Sequence, residues 1–148
     1  MSQIFFDDIA EGAEYPSSRV TVTESHIVTF AGLTGDFNPL HMDEIAAQEN
    51  GFGRRIAHGM LGHSLSTGLR SGIDDWAIMA FLQTSRSFAA PILIGDTVRY
   101  RATILEKRPS GSKPDRGVVR VGIELLKQDG SVVQKGEDVF LVERRTGG

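Results

Sequence analysis

The hydrophobic pattern of the chain changes its period once, near residue 77, and this change limits the possible folds more than any other feature. Four segments after that point are rich in β-branched and aromatic residues: 77–88, 97–107, 118–128 and 132–143. In the second segment, apolar residues at the even positions from 98 to 104 alternate with polar residues, as expected of a strand with one wetter face. Asp129-Gly130 is a strong hairpin signal between the last two strands.

The first half of the chain has the period of helices instead. Residues 23–34 predict a first helix, with Thr23 as its N-terminal cap and Gly35 as the residue that ends it. A shorter helix is predicted to follow Asp43 and to end at residues 50–51. Helices followed by long antiparallel strands predict an α+β fold.

A third helix is predicted from about residue 59 to residue 71, closed by Gly72. Its leucines at 61, 65 and 69 are four residues apart and share one face, which a curved sheet wrapped around the helix would bury. The helix also carries an unusual number of small residues: Gly59, Gly62, Ser64, Ser66 and Gly68. Small side chains let a sheet or a ligand approach the helix backbone closely.

Bulk composition indicates one globular domain over residues 1–148 and excludes several kinds of function. The chain is 40% hydrophobic and 24% charged, as in ordinary globular proteins, and its net charge of -3 argues against a nucleic-acid partner. No apolar run is long enough to cross a membrane, and the N-terminal residues lack the basic start and apolar stretch of a secretory signal, so we expect a cytoplasmic location. Without cysteine, the chain can form neither disulfides nor thiolate metal sites.

The segment 35–41, Gly-Asp-Phe-Asn-Pro-Leu-His, carries the strongest chemical signal. Gly35 frees the backbone and Pro39 keeps its predecessor extended, so we expect a stiff, non-helical loop that presents Asp36 and His41 together. Hydration of a double bond needs a base that deprotonates water and an acid that protonates carbon, and such a pair can supply both. The alternative is that Asp36 and Asn38 are only turn and cap residues and that His41 lies on the surface.

A second segment, residues 56–68, enters the third helix through His58 and Gly59. The N-terminus of a helix offers unpaired N–H groups and a partial positive charge. With glycine at that point, a substrate carbonyl oxygen could reach these donors, and they would stabilise the negative charge that develops on it. Close packing of helix against sheet would also favour glycine here.

Together, these residues resemble the MaoC-like hydratases, a family that includes the R-specific enoyl-CoA hydratases. The match rests on residues 36–41 and 57–60, and it continues through the small-residue helix and the turn at 91–96. The resemblance implies a hot-dog fold, a homodimer, coenzyme A thioester substrates and an R-configured 3-hydroxyacyl product.

The resemblance also implies roles for single residues. Asp36 and His41 correspond to the catalytic pair around the attacking water, and Gly59 to the backbone donor for the thioester carbonyl. Thr67 falls where a small hydroxyl residue often lies near the site. No metal and no other cofactor is expected.

Several other motifs fit less well. Residues 62–66 nearly form a hydrolase nucleophile elbow, but the closing glycine is replaced by Ser66 and the segment lies within a predicted helix. A calcium loop that starts at Asp36 lacks the glycine and the glutamate that it requires. A metal site that combines His58 with His63 is disfavoured, because residues five apart lie on different faces of a helix.

We expect His58 to orient the loop rather than react and His26 to be an exposed helix residue. Six arginines could contact the phosphates of coenzyme A, and the sequence does not distinguish among them: Arg54, Arg55, Arg70, Arg86, Arg99 and Arg101. Two functions remain as alternatives to hydration: a hot-dog thioesterase that hydrolyses the same substrates, and a non-catalytic module that binds acyl thioesters.

Overall fold

The computed structural model describes residues 3–145. It contains four α-helices: α1, Glu24–Thr34; α2, Pro39–Met42; α3, Glu44–Glu49; and α4, Gly59–Gly68. It contains six strands: β1, Glu14–Pro16; β2, Val20–Thr21; β3, Ile78–Phe88; β4, Thr97–Pro109; β5, Arg116–Leu126; and β6, Val132–Glu143. Single 3-10 turns lie at Phe6–Asp8 and Gly72–Asp75.

The strands form one antiparallel sheet in the order β1-β4-β5-β6-β3, and β2 pairs with the first residues of β4. Helix α4 lies against this sheet so closely that a Cβ atom added at Gly62 would stand 2.5 Å from Nε2 of Gln134 on β6. The main core fills the space between them, and it buries Leu61 and Leu69 while Leu65 is half-buried. The predicted α+β fold, with an antiparallel sheet around the leucine face of the third helix, is confirmed.

The predicted ends of the helices agree in part with those in the structure. Thr23 caps α1 through a bond from the His26 N–H, and Gly35 ends the helix with φ 82°. In the same cap, Nδ1 of His26 accepts a bond from the backbone N–H of Thr23, so this half-buried histidine is more than the exposed residue expected. Helix α4 ends at Gly68, earlier than predicted, because the chain turns extended at Leu69 and Ser71 caps the following 3-10 turn.

The expected non-helical loop over residues 35–41 is wrong in its second half. Asn38 caps a single helical turn, α2, and Pro39 occupies its first position. The fixed φ of proline suits that position, where the missing N–H has no intrahelical acceptor in any case. His41 therefore lies on helical backbone, whereas Asp36 lies on the loop before it. No helix within residues 3–145 is both long and apolar enough to cross a membrane.

Candidate active site

Asp36 lies on a loop that is held by local hydrogen bonds at both ends. Gly35 closes α1 by donating its N–H to the carbonyl of Ala31 at 2.8 Å. Oδ1 of Asp36 accepts the N–H of Asn38 at 3.2 Å, which leaves Oδ2 on the side that faces His41. The side chain of Asp36 is 53% exposed, so this carboxylate is open to a substrate.

The neighbouring His41 is fixed by a contact from a distant part of the chain. Its Nδ1 lies 2.7 Å from the carbonyl oxygen of Ile56. Because a carbonyl only accepts hydrogen bonds, Nδ1 carries the hydrogen, and in the neutral ring Nε2 presents a lone pair. That Nε2 lies 4.0 Å from Oδ2 of Asp36. A water oxygen about 2.8 Å from each of these atoms would donate to both, with an angle of roughly 90° between them.

A second histidine, His58, contacts both the loop and His41 and is almost fully buried. Its Nε2 donates to the backbone carbonyl of Asp36 at 2.9 Å, and its ring stacks on His41 with centroids 3.9 Å apart. The ring edge also meets Phe30, at 5.0 Å between centroids. These contacts support the expectation that His58 orients the loop.

Asp36, His41 and His58 offer donor atoms that all lie within 4.8 Å of one another, so a metal ion has to be considered. The rings of His41 and His58 are stacked with 26° between their planes, and each already donates one N–H to a carbonyl. Zinc requires its ligand atoms to converge on one point at about 2 Å, whereas stacked rings direct their nitrogens along nearly parallel planes. The geometry therefore suits a hydrogen-bonded water better than a metal. His63, which the sequence grouped with these residues, lies elsewhere.

The N-terminus of α4 follows His58 directly and is open. Among residues 3–145, no side chain caps this helix, and the backbone N–H groups of Gly59 and Met60 find no protein acceptor. A Cβ at residue 59 would stand 3.1 Å from the ring of Phe88, tighter than most real contacts, so glycine keeps this end accessible. The structure thus places the predicted carbonyl-binding donor beside His58, which anchors the loop that carries Asp36.

A cavity of about 300 Å³ opens at this helix end. Its wall is mostly apolar: Phe52, Ile56, Ala57, Gly59, Phe88, Ala89, Ala90, Pro91 and Ile92, together with His58 and Gln134. Gln134 is buried, and its Nε2 donates to the carbonyl of Gly59 at 3.0 Å. Sequence reasoning missed Gln134, because a glutamine in a strand carries no chemical motif and its contact with Gly59 depends on how β6 meets α4.

Thr67 is not brought to the other predicted site residues. Its hydroxyl donates to the carbonyl of Ser64 at 2.7 Å, and it lines a separate cavity of about 170 Å³ near the end of α4. Eight residues of helix put it roughly 12 Å along the axis from Gly59. Its place near the reacting atoms stays a prediction that the geometry of the single chain does not support.

The arginines considered for coenzyme A phosphates divide into two groups. Arg55, Arg86 and Arg101 each form an ion pair with a carboxylate, at 2.7–2.9 Å. The other three, Arg54, Arg70 and Arg99, have no carboxylate partner among the described residues. The arginines of the second group are therefore more available to bind a phosphate, because their charge is not neutralised by a carboxylate.

Comparison with known proteins places the chain in a family. The family model for the MaoC like domain matches residues 8–125, and the chain belongs to this family. It is 36% identical over 145 residues to an (R)-specific enoyl-CoA hydratase of Rhodospirillum rubrum, covering 95% of this chain and 93% of that protein.

Two solved structures show how far the fold is shared. A MaoC-like dehydratase from Rhodospirillum rubrum superimposes with a TM-score of 0.86 at 32% identity, over 97% of this chain and 99% of that one. A Mycobacterium tuberculosis protein with a double hot-dog fold superimposes with a TM-score of 0.84 at 16% identity, over 99% of this chain and 47% of that one. The hot-dog fold that the sequence resemblance implied is therefore confirmed.

Proposed function

We propose that this chain is a hydro-lyase that adds water to trans-2-enoyl thioesters of coenzyme A to form (R)-3-hydroxyacyl thioesters, or removes it in the reverse direction. The names of its similar proteins, a hydratase and a dehydratase, support this reaction. The observation that carries the proposal is the 4.0 Å gap between Oδ2 of Asp36 and Nε2 of His41, beside the uncapped start of α4.

The two acceptor atoms give the pair a defined task. A water between them donates one hydrogen to Asp36 and the other to His41, so its oxygen lone pair is directed out of the loop toward C3 of the substrate. As that oxygen bonds to C3, the C2–C3 double bond opens and one water proton passes to the carboxylate of Asp36. His41 accepts the water through Nε2 and has its ring hydrogen on Nδ1, so it has no hydrogen to give at that atom, and the proton that Asp36 accepts is the one that reaches C2. One water is consumed and the pair returns to its first state.

The helix start stabilises the charge that this attack creates. Electrons from the double bond move toward the thioester oxygen, which becomes enolate-like. The N–H of Gly59, with the partial positive charge of the helix N-terminus behind it, is the donor for this oxygen. Removal of one such donor typically costs about 10²–10³ in rate.

A panel of trans-2-enoyl-CoA thioesters of different chain length tests the reaction. The expected result is loss of the conjugated-thioester absorbance without release of free thiol, and a product that an S-specific 3-hydroxyacyl dehydrogenase does not oxidise. Thiol release would favour the thioesterase, whereas tight binding of every thioester with no turnover would favour the binding module. Strong oxidation by the S-specific enzyme would contradict the R assignment.

Assembly as a homodimer is part of the proposal. Strand β3 is an eleven-residue edge strand that pairs only with β6 within the described sheet. Five large apolar side chains on this strand are 41–53% exposed: Ile78, Met79, Phe81, Leu82 and Phe88. A long apolar edge of this kind pairs with another chain unless it is blocked. Since Phe88 also lines the cavity at Gly59, a second copy on this edge would adjoin the site.

Light scattering tests the dimer. The protein should have twice the mass of the chain, and Leu82→Lys on the edge should shift it toward the monomer. Leu105→Lys on β4, where the leucine is 41% exposed against 51% for Leu82, should not. A monomer with full activity would contradict this part of the proposal. We further propose that residues 1–148 form one domain of the family and that the enzyme acts in the cytoplasm.

A further inference from the structure

Gln134 has a buried acceptor atom that the proposed mechanism does not use. The residue is 2% exposed and lies in the wall of the cavity at the start of α4. Its Nε2 donates to the carbonyl of Gly59, whereas its Oε1 is fully buried without a hydrogen-bond partner among the described residues. Rotating the amide would bring its oxygen against the Gly59 carbonyl, so the orientation is fixed. An unpaired buried acceptor is costly, because it has lost its bonds to water, and a donor from a ligand would remove that cost.

The absence of a side chain at Gly62 leaves room for the amide of Gln134 beside α4. A Cβ at Gly62 would stand 2.5 Å from Nε2 of Gln134 and 2.7 Å from Ile92, so any side chain there would displace the glutamine. The missing side chain of Gly62 therefore lets Gln134 reach under α4 to Gly59. The same cavity wall holds one other unpaired buried acceptor, Nδ1 of His58, but only Gln134 is tied to the carbonyl of Gly59.

The position of this acceptor selects the donor. If the thioester carbonyl is bound at the N–H of Gly59, the amide of Gln134 lies in the same cavity wall, bonded to the carbonyl of that residue. The hydroxyl of the 3-hydroxyacyl product does not qualify, since its oxygen is the water oxygen held by Asp36 and His41, and neither of these residues lines the cavity. On the other side of the carbonyl, the sulfur is followed by two methylene carbons and then by the first amide N–H of the carrier arm.

We propose that Gln134 is a specificity-determining residue whose Oε1 accepts a hydrogen bond from the first amide N–H of the phosphopantetheine arm that carries the acyl group. The inference rests on the proposed hydration reaction. The enzyme then recognises the carrier as well as the acyl chain, and it holds the thioester between two fixed groups, the N–H of Gly59 and the carbonyl of Gln134. Coenzyme A and acyl carrier protein share this arm, so the contact serves either carrier.

Two small substrates that differ only in this donor provide the test. The crotonyl thioester of N-acetylcysteamine has the amide N–H, and the crotonyl thioester of 2-acetoxyethanethiol has an ester oxygen in its place. Wild-type enzyme should hydrate the first with a kcat/KM roughly three- to tenfold higher relative to the second. Gln134→Met, similar in size but without the amide, should reduce this ratio to about one. Gln48→Met, at an exposed glutamine on α3, should leave the ratio unchanged.

Gly62→Ala provides a second variant that does not touch the amide itself. Alanine is the better helix residue, so α4 should form, but its methyl group should displace Gln134 and reduce the same ratio.

The outcomes separate the inference from the function on which it rests. If Gln134→Met lowers the rates of both thioesters by the same factor, Gln134 only positions the peptide of Gly59, and the inference is wrong. If the wild type prefers the amide-bearing thioester and Gln134→Met keeps that preference, another residue binds the arm, and the inference is wrong again. If the wild type hydrates neither thioester nor crotonyl-CoA, the proposed function itself has failed.

Discussion

Two groups of aspartate and histidine contact the same helix, and they differ in what their polar atoms are bonded to. At the start of α4, Asp36 and His41 keep one acceptor atom each directed at the other across 4.0 Å, and the carboxylate is half exposed. Along the buried side of α4, His63 bonds to Thr84, which donates to Asp138.

The second group is closed by a buried ion pair. Arg86 contacts both oxygens of Asp138, at 2.7 and 3.0 Å, and the two side chains are only 2% and 7% exposed. Nearly every polar atom there is used within the protein, although Nε of Arg86 has no partner among the described residues. The same residue types therefore form the proposed active site where their acceptor atoms stay free, and a structural support where these atoms are bonded within the protein.

The largest expected effect is on the turnover of Asp36→Asn. The amide keeps the size and the bond to the N–H of Asn38 but cannot accept the proton, so kcat should fall by about 10²–10⁴ while folding survives. Asp43→Asn, at the exposed cap of α3, should keep near wild-type turnover and serves as the control. If Asp36 is only a turn residue, Asp36→Asn would instead keep its turnover and nearly all of its stability, because asparagine serves in such turns as well as aspartate. Steady-state kinetics and urea unfolding of both variants separate these results.

The second prediction concerns stability rather than turnover. Asp138→Ala leaves the charge of Arg86 buried without a partner, so the free energy of unfolding should fall by about 3–5 kcal/mol. Replacing both residues, as Asp138→Leu with Arg86→Met, should recover much of the loss, because no uncompensated charge remains. Urea midpoints measured at one protein concentration give the comparison. A double variant that is less stable than Asp138→Ala would contradict the assignment of this group as a closed ion pair.

A smaller effect is expected for His58→Phe. The phenyl ring can still stack on His41, but the bond from Nε2 to the carbonyl of Asp36 is lost, so only the support of the loop is removed. A hydrogen bond of this kind is worth about 0.5–1.5 kcal/mol, which corresponds to a roughly two- to tenfold loss in kcat. His26→Gln, in the cap of α1, is the matched control and should leave kcat unchanged. A loss as large as that of Asp36→Asn would make His58 a reacting group.

The smallest effect is on the pH dependence of stability. Burial, and then the nearby charge of Arg86, lower the pKa of His63 below its ordinary value of 6.5, although Asp138 opposes this. In the window below pH 6.5 the unfolded chain then binds more protons at this residue than the folded chain, so acid should destabilise the fold. The stability linked to neutral His63 is fully present above pH 6.5 and is lost as the pH falls toward the lowered pKa. His63→Gln should flatten this part of the pH profile, and a profile unchanged by the substitution would contradict the assignment.

Local chemistry explains which features could be predicted from the sequence. Thr23 begins α1 and Gly35 ends it through bonds to residues three or four positions away. Asp36 and His41 are only five residues apart, so the sequence alone brings them close together. The four long strands could be predicted because they are rich in β-branched and aromatic residues, and β4 also alternates with period two.

Features that depend on tertiary contacts could not be predicted. Gln134 meets Gly59 across 75 residues of sequence, so its role is set by how β6 meets α4. Thr67 has the residue type expected near the site, but the axial rise of α4 carries it to a different cavity. Turn α2 does not follow from the extended conformation that Pro39 imposes on Asn38, because the same proline favours helix at its own position, the first of α2.

The measurement that tests the central claim most directly is a double-mutant cycle on the pair itself. Asp36→Asn, His41→Gln and the double variant are compared in kcat for hydration of crotonyl-CoA. Both side chains act on one water, so either single substitution disables the same step, and the double variant should be little worse than the poorer single variant. If the two losses multiply instead, or if Asp36→Asn hydrates the substrate at near wild-type rate, a single water shared by Asp36 and His41 is not the basis of the reaction.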